Sequence, residues 1–458
     1  MVLAGKSNSM LPDVSRGFLK SLPLSVIFAG LLTSTTLLMV TGCGASYRPV
    51  VSAINPVGPA SQPQKYAVAI SDPGAGAPGL ITIVDVFGDT LIVNANLGAF
   101  PSYFTLSGSD AYVLHCKRDA SGNVLPTQCN NTVDAFSVSS TLMTNAVQQT
   151  SLLPGSNPAS ATATGSFFYA TQPGSASVSA STTGQPPSFR QQLPTGLNPI
   201  FVVAATGAQR VYALSQGATP GSSAGTATAI ESATNTISSS IIVGRNPVYG
   251  TLNIDGRRAF VLNKGDGTVS VINTQTNALD VTGQLPAATI PVGPNPLWAD
   301  VAASINELAV VNAGNGTSAG SLSIINVALC SPISATGNVN CDPTNPIDST
   351  SFGKVLATVP VGVRPVMVSV VQDMNKAYVA NADGTVTVVD MTTMSAIKTI
   401  RVGGTLNWIV STAGTPTGKV YVTASDTSSL TIINTNTDTV NATIPLQGNG
   451  VAVRVTAQ

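Results

Sequence analysis

Apolar and polar residues alternate along most of the chain in short runs, and a turn separates each run from the next. The clearest example lies between Val366 and Gly404, where Thr385 to Val388 alternates polar and apolar side chains. Side chains of a β-strand point to opposite faces in turn, so this period of two predicts strands. Asp383 and Gly384 before this run suit the positive φ angles of a tight hairpin. Helical periodicity is missing, and the pattern predicts an all-β protein.

A short phrase recurs along the chain and divides it into units of roughly 40–50 residues. Its full form, Val-Gly-x-x-Pro, occurs at Val243–Pro247, Val292–Pro296 and Val361–Pro365. The shorter form Gly-x-x-Pro begins at Gly98, Gly155 and Gly196, and Gly403 and Gly448 continue the series with Leu406 and Val451 in the proline position. Each unit between two phrases has room for four short strands. Repeated four-stranded units of this kind predict the blades of a β-propeller.

The two ends of the chain complete the expected ring. Before Gly98 there is room for three strands, and after Gly448 for one. These are Tyr66–Ile70, Leu80–Val86, Leu91–Ala95 and, at the C-terminus, Val451–Val455. A C-terminal strand that completes the N-terminal blade would close the ring and remove its exposed edges. The count predicts eight blades, and seven is the alternative, because the stretch from Gly155 to Pro194 is weakly patterned.

These residues resemble a known repeat. Tyr378-Val379-Ala380-Asn381 and Tyr421-Val422-Thr423-Ala424, the phrase, and the strands of form Thr-Val-x-Val-[Ile/Val]-[Asp/Asn] are similar to the YVTN-type β-propeller repeat of bacterial and archaeal surface proteins. The resemblance extends from Tyr66 to the C-terminus and is strongest from Gly244 onward. It implies a propeller outside the cytoplasm. It implies little about activity, because members of the family differ in function.

The N-terminus predicts the cellular location independently. Basic residues precede an apolar stretch from Leu22 to Val40, and Val40-Thr41-Gly42-Cys43 fits a lipobox. We therefore expect residues 1–42 to be a lipoprotein signal peptide, Cys43 the lipidated first residue, 43–64 a tether, and 65–458 one propeller domain. The expected location is extracytoplasmic, at the outer membrane or cell surface, with the lipid as the sole membrane contact. The alternative is an uncleaved transmembrane anchor.

The other four cysteines form two close pairs, Cys116 with Cys129 and Cys330 with Cys341, each in a long insertion between strands. In an oxidising compartment these pairs predict local disulfides, and free thiols are the alternative. Neither pair has the Cys-x-x-Cys spacing that zinc sites favour, so no metal is expected.

Composition argues against several kinds of function. Charged residues make up 9% of the chain and its net charge is zero, so no basic nucleic-acid surface is expected. The chain has one histidine, His115, which takes the position that asparagine holds in other units, and we interpret it as a turn-capping residue. The scarcity of histidine and glutamate predicts no catalytic residues and no cofactor.

One constellation predicts a binding site. The position five residues after each phrase glycine, near the start of the innermost strand, holds Tyr103, Ser160, Phe201, Tyr249, Trp298, Met367, Trp408 and Val453. The adjoining phrase loops contribute Arg245, Asn246, Asn295 and Arg364. Aromatic faces beside amide and guanidinium groups suit a sugar, a peptide or a small organic ligand at the channel mouth. The alternative is that the aromatic rings wedge between neighbouring blades as packing.

The sequence thus favours a monomeric, non-catalytic lipoprotein that serves as a binding, interaction or structural module. Its partner would be a protein, a glycan or a small molecule at the channel mouth. The alternative is a periplasmic enzyme of the lactonase- or lyase-like type, which the scarcity of histidine and glutamate opposes.

Overall fold

The computed structural model describes residues 65–119, 123–142, 144–204, 209–253, 256–283, 285–328, 349–412 and 418–456. Within these ranges the chain forms strands β1 to β33 and two single turns of 3₁₀ helix, Thr144–Ala146 and Pro173–Ser175. None of the helical segments in this part of the chain has the length and apolar character needed to cross a membrane. Residues 1–64, which contain the predicted signal peptide, Cys43 and the tether, lie outside the described residues.

The first half of the chain forms blades 1 to 4. Blade 1 contains β1 Tyr66–Asp72, β2 Pro78–Asp85, β3 Thr90–Ala99 and the C-terminal β33 Asn449–Val455. Blade 2 contains β4 Tyr103–Ser107, β5 Asp110–Arg118, β6 Val124–Ser137 and β7 Gln148–Ser151. Blade 3 contains β8 Ala161–Thr164, β9 Phe167–Gln172, β10 Ser177–Thr182 and β11 Ser188–Pro194. Blade 4 contains β12 Pro199–Val203, β13 Arg210–Ser215, β14 Ala224–Glu231 and β15 Thr236–Arg245.

The second half forms blades 5 to 8. Blade 5 contains β16 Pro247–Leu252, β17 Arg258–Asn263, β18 Thr268–Asn273 and an interrupted outer strand, β19 Ala278–Leu279 and β20 Thr289–Pro291. Blade 6 contains β21 Pro296–Ala302, β22 Glu307–Asn312, β23 Ala319–Asn326 and β24 Val355–Val363. Blade 7 contains β25 Pro365–Val371, β26 Lys376–Asn381, β27 Thr385–Asp390 and β28 Ser395–Arg401. Blade 8 contains β29 Leu406–Ser411, β30 Lys419–Ala424, β31 Ser429–Asn434 and β32 Thr439–Pro445.

These eight antiparallel sheets form a closed ring, which confirms the predicted eight-bladed propeller. The C-terminal strand β33 is the innermost strand of blade 1 and pairs with β1, with Ala69 opposite Val453. The backbone N–H of Tyr66 also donates to Oγ1 of Thr456 at 2.9 Å. The weakly patterned stretch after Gly155 forms blade 3, so the seven-blade alternative is wrong. Neighbouring inner strands contact one another around the whole ring.

Strand direction divides the loops between two faces. Because successive strands of a blade are antiparallel, the phrase loops and the turns between second and third strands lie on one face, here called the phrase face. The other turns lie on the opposite face. Asp383 and Gly384 lie in the predicted hairpin turn on the phrase face, but of the two only Gly384 has a positive φ, 83°. Asp383 instead accepts the N–H of Val363 at 2.7 Å.

Close packing and backbone conformation explain the phrase. A Cβ atom on Gly362 would lie 2.6 Å from Cγ of Asn381, so only glycine fits there. The residue before the proline is left-handed, with φ of 52° at Asn246, 54° at Asn295 and 52° at Arg364. Asparagine tolerates this region better than most residues, so its recurrence in the phrase has a conformational cause.

The last copy of the phrase begins one residue earlier in the chain than the sequence analysis predicted. In blade 7, Pro365 pairs with Asn381 and, after a bulge, Met367 pairs with Ala380. In blade 1 the matching pairs are Gly450 with Ser71 and Ala452 with Ile70. Gly450 and Ala452 therefore take the proline and aromatic positions that were predicted for Val451 and Val453. Counting from Gly448 starts one residue too late.

Candidate binding sites in the central channel

The predicted aromatic residues meet at the centre of the ring. Tyr103, Phe201, Trp298 and Trp408 form a closed circuit of edge-to-face contacts. The ring centroids are 6.5 Å apart for Tyr103 and Phe201, 6.3 Å for Phe201 and Trp298, 5.7 Å for Trp298 and Trp408, and 6.2 Å for Trp408 and Tyr103. Tyr249 stacks on Trp298 at 3.9 Å. We call these five residues the aromatic cluster.

The contacts of the cluster distinguish between the two interpretations of these rings. Tyr103 of blade 2 contacts Phe201 of blade 4 and Trp408 of blade 8, so its partners are in non-adjacent blades. Such contacts require the rings to reach into the channel, where the smaller Ser160 and Ala452 of the intervening blades leave room. Wedging between neighbouring blades therefore describes only part of the packing. The cluster fills the channel at the level of the aromatic position, near the ends of the inner strands that follow the phrase loops.

Two polar residues of the phrase loops, Arg245 and Asn295, make separate local contacts. Arg245 pairs with Asp266, with Nε 2.5 Å from Oδ1, and half of its side chain is exposed. Asn295 donates to the carbonyl oxygen of Gly314 at 2.7 Å. The guanidinium above the aromatic cluster instead belongs to Arg454, whose Cζ lies 4.8 Å from the ring centroid of Trp408. Arg245 and Asn295 thus make local loop contacts.

A cavity of about 490 Å³ opens at the phrase face, here called the mouth cavity. It is bounded by phrase residues of blades 8, 1, 2 and 3, the half of the ring opposite Arg245 and Asn295. Its lining includes Asp72, Lys117, Leu125, Gln128 and Asn407. Lys117 Nζ forms an ion pair with Asp72, so the polar wall of the cavity includes a paired positive and negative charge. A volume of this size is typical of small-molecule sites.

A long hairpin forms one side of the mouth cavity. Its strands β5 and β6 have 9 and 14 residues, whereas the matching strands of blades 5, 7 and 8 have six. Cys116 and Cys129 stand opposite each other in these strands and form a disulfide. This pair confirms one predicted bridge, although it joins paired strands rather than an irregular loop. Cys330 and Cys341 lie outside the described residues.

A second cavity of about 260 Å³ lies against the aromatic cluster, here called the axial cavity. Its walls include Tyr249 and Trp298 and three polar residues, Asp300, Ser369 and Arg454. By register, Asp300, Ser369 and Arg454 occupy the same level of their inner strands, two positions beyond the aromatic position. Sequence reasoning missed these residues. The available signal was the spacing of two from Trp298, which places Asp300 on the same strand face.

Burial and backbone contacts determine the state of Asp300. Its Oδ2 accepts the N–H of Val370 in the next blade at 2.7 Å, and Oδ1 accepts that of Val301 at 2.9 Å. Burial raises the pKa of Asp300 to about 6, against the opposing effect of these bonds and of Arg454. Because both oxygens are already engaged, Asp300 joins two blades together. This role does not require a ligand.

The single histidine is buried beneath the phrase of blade 2. Nδ1 of His115 lies 3.0 Å from the carbonyl oxygen of Ala99, and Nε2 lies 3.1 Å from Oδ2 of Asp134. The same oxygen of Asp134 accepts the N–H of Gly98 at 2.6 Å. Burial acts to raise the pKa of Asp134, but His115 and these hydrogen bonds hold it below its usual value. His115 thus anchors the phrase loop and is closed off from the channel.

The remaining acids offer no metal site. Within the described ranges, no group of three or more His, Cys, Asp or Glu side chains is placed to hold a metal ion. Glu231 pairs with Arg210, with Oε1 2.9 Å from Nε. Glu307 is buried, and burial raises its pKa to about 7.

The fold and these channel cavities define an eight-bladed β-propeller with a closed centre. No protein-family profile and no curated protein matches the sequence. Solved structures do match: dihydro-heme d1 dehydrogenase NirN, in complex with DHE, is 12% identical with a TM-score of 0.58, covering 88% of this chain and 78% of that one.

Two further solved structures match with lower TM-scores. A functionally unknown protein from Desulfotomaculum acetoxidans DSM 771 is 16% identical, with a TM-score of 0.50 and coverage of 72% of this chain and 96% of its own. A putative 6-phosphogluconolactonase from Bacteroides fragilis NCTC 9343 is 13% identical, with a TM-score of 0.46 and coverage of 87% and 99%. At these identities the likeness to NirN and to the Desulfotomaculum acetoxidans protein shows the fold alone.

Proposed function

We propose that this protein is an extracytoplasmic, lipid-anchored propeller of the YVTN-repeat type that binds a partner or ligand in the mouth cavity and catalyses no reaction. The proposal rests on the mouth cavity. Its volume suits a small ligand, and one of its walls is a hairpin whose strands are longer than the matching strands of blades 5, 7 and 8. The disulfide between Cys116 and Cys129 holds that hairpin in place. A rigid wall of this kind reduces the ordering cost of binding.

The contacts of the ionisable groups support a role without chemistry. A general acid or base must reach a bound substrate. His115 is buried against Asp134, and both oxygens of Asp300 accept backbone N–H groups. The mouth cavity itself contains a compensated pair, Asp72 with Lys117. These groups are suited to holding structure and recognising a ligand, and the lactonase-like alternative lacks a free catalytic group among them.

A photo-crosslinking side chain tests the site directly. Placed at Gln128, which lines the mouth cavity, it should give discrete crosslinked products in native cells. The matched control is Asn436, an exposed residue of the β31–β32 turn on the opposite face. Products from Gln128 alone support binding at the mouth. Equal products from both positions, or turnover of lactone substrates by the purified protein, would contradict the proposal.

The lipid anchor has its own test. Cys43→Ser removes the thiol that lipidation requires, so the variant should move from the membrane fraction to the soluble extracytoplasmic fraction. Mass spectrometry of the wild-type N-terminus should find an acylated cysteine. Unchanged membrane association and unchanged mass in the variant would argue for a transmembrane anchor instead.

A further inference from the structure

We propose that the axial cavity is a second binding site, specific for a small organic carboxylate. The guanidinium of Arg454 and the indole N–H of Trp408 would hold the carboxylate, and the body of the ligand would pack against Tyr249 and Trp298. This site is independent of the mouth cavity. Its volume of about 260 Å³ falls just below the range of drug-sized sites, which limits the ligand to a small molecule.

Two buried hydrogen-bond donors point to an anion. Nε of Arg454 and Nε1 of Trp408 are both inaccessible to solvent and have no acceptor among the described residues. Trp408 as a whole is only 9% exposed. Arg454 lines the axial cavity, and Trp408 contacts both Arg454 and Trp298 of its wall. Buried donors in proteins are nearly always paired, so two unpaired donors on residues in contact beside a cavity suggest a missing acceptor. A carboxylate has the lone pairs to accept from both.

The contacts of Arg454 keep its charge beside this cavity. Its guanidinium lies over the ring of Trp408 with Cζ 4.8 Å from the centroid, an attractive cation–π geometry. Burial raises the pKa of Tyr103, and the nearby Arg454 acts to lower it. No acidic group lies within ion-pair distance of Arg454 in the described ranges. Asp300 offsets this positive charge only from beyond ion-pair distance, so direct pairing with the guanidinium is open to a carboxylate ligand.

Asp300 lies in the same wall and its negative charge would favour a cation. The hydrogen bonds that each side chain already makes distinguish between an anionic and a cationic ligand. Each of the oxygens of Asp300 accepts one backbone N–H, from Val301 and Val370, so about half of its acceptor sites are used. The donors of Arg454 and Trp408 are not used in this way. The arrangement therefore selects an anion held at the Arg454 side, with Asp300 as an opposing charge.

Titration calorimetry with three matched probes tests this proposal. Benzoate should bind the wild-type protein at pH 7.5, and neutral benzamide and cationic benzylamine should bind at least about tenfold more weakly, as expected for loss of a charge-assisted hydrogen bond. Benzoate should also change the intrinsic fluorescence, because both tryptophans of the protein belong to the aromatic cluster. Equal affinity for benzoate and benzamide, stronger binding of benzylamine, or no saturable binding would overturn the proposal.

Variants locate the binding. Arg454→Gln should weaken benzoate at least about tenfold, whereas Arg401→Gln, an exposed arginine on the outer strand β28, should leave its affinity unchanged. Trp408→Phe keeps an aromatic ring but removes the N–H, and should also weaken binding. Asp300→Asn should strengthen it by removing the opposing charge. If Arg454→Gln does not fold, the last two variants decide: unchanged affinity in both would overturn the proposal.

Discussion

At the scale of single residues, the repeat shows which positions are unusual. The first position of the second strand is basic in four blades, and each base has an acidic partner: Arg210 with Glu231, Arg258 with Asp280, Lys376 with Asp438, and Lys419 with Asp89. In blade 6 this position holds Glu307. Its side chain is buried, and Oε2 has no hydrogen-bond partner in the described part of the chain. An acid in this setting opposes folding when it is charged.

Glu307→Gln should stabilise the protein in alkaline solution. Burial raises the pKa of Glu307 to about 7 from 4.5, so the folded state holds a proton that the unfolded state releases. The stability is full below pH 4.5 and falls as the pH rises toward 7. The variant removes this loss, and denaturant unfolding should show a gain on the order of 1–2 kcal/mol at pH 8 and little change at pH 4.5.

Glu231→Gln is the matched control, since Glu231 is the other glutamate of the chain. Burial acts to raise the pKa of Glu231, but Arg210, Ser238 and Asn277 act to lower it. Their combined effect is the larger, so the net shift of the pKa is downward. Its ionised form stabilises the fold above about pH 4.5, and Glu231→Gln should lose stability at pH 8. Equal responses of the two variants would show that the pairing of each side chain is irrelevant.

At the scale of elements, the second strand joins neighbouring blades. Five tyrosines of these strands are fully buried: Tyr112, Tyr169, Tyr212, Tyr378 and Tyr421. Four of the five hydroxyl groups bond to the next blade, where Tyr169 donates to Asn235 at 2.6 Å and Tyr212 to Asn277 at 2.8 Å. These asparagines are left-handed turn residues, with φ of 54° and 51°. The tyrosine of the repeat therefore serves both as core and as a polar tie between blades.

Tyr212→Phe and Tyr421→Phe should have different effects. The buried Tyr212 hydroxyl donates to the half-buried Asn277, so its removal should cost about 1–2 kcal/mol in the free energy of unfolding. The Tyr421 hydroxyl is buried without a partner among the described residues, and Tyr421→Phe should be neutral or stabilising. Denaturant titration of both variants measures the difference. Equal destabilisation would mean that the ring packing, rather than the hydroxyl contact, controls stability.

At the scale of the whole molecule, the ring depends on its last strand. β33 pairs with β1, and residues Ala452, Val453 and Val455 belong to the largest buried cluster of the core. The same strand places Arg454 beside the axial cavity. Closure is therefore required both for stability and for the proposed carboxylate site, because the two depend on the same seven-residue element.

Deleting residues 449–458 should open the ring. The edge of β1 and the apolar sides of blades 8 and 2 would be exposed, so we expect aggregation or a fall in Tm of ~10 °C or more. Deleting only residues 457 and 458 is the control, because this change leaves β33 intact. Differential scanning calorimetry compares the two. A truncation at residue 449 that melts like the full chain would refute the role of closure.

The sequence by itself determined the repeat, the four-stranded blades, their number and the closing strand. These follow from local signals, such as the alternation around Thr385, the Gly-x-x-Pro phrase and the turn at Asp383. In a closed ring each repeat of the sequence forms one blade, so the number of repeats predicts the number of blades. The sequence also identified the five aromatic residues that meet at the axis, because they share one position in the repeat.

Only the tertiary structure decided what surrounds those residues. Arg454 lies in the last copy of the phrase, where the strand register differs by one residue from the count that starts at Gly448. Asp300 has no distinguishing sequence signal of its own beyond its spacing from Trp298, and only the closed ring places it in the channel. The mouth cavity depends on how far the β5–β6 hairpin extends beside blades 8, 1 and 3. A sequence period records what every unit must share for packing. Contacts across the axis join residues from distant units, and their distances follow only from closure of the ring.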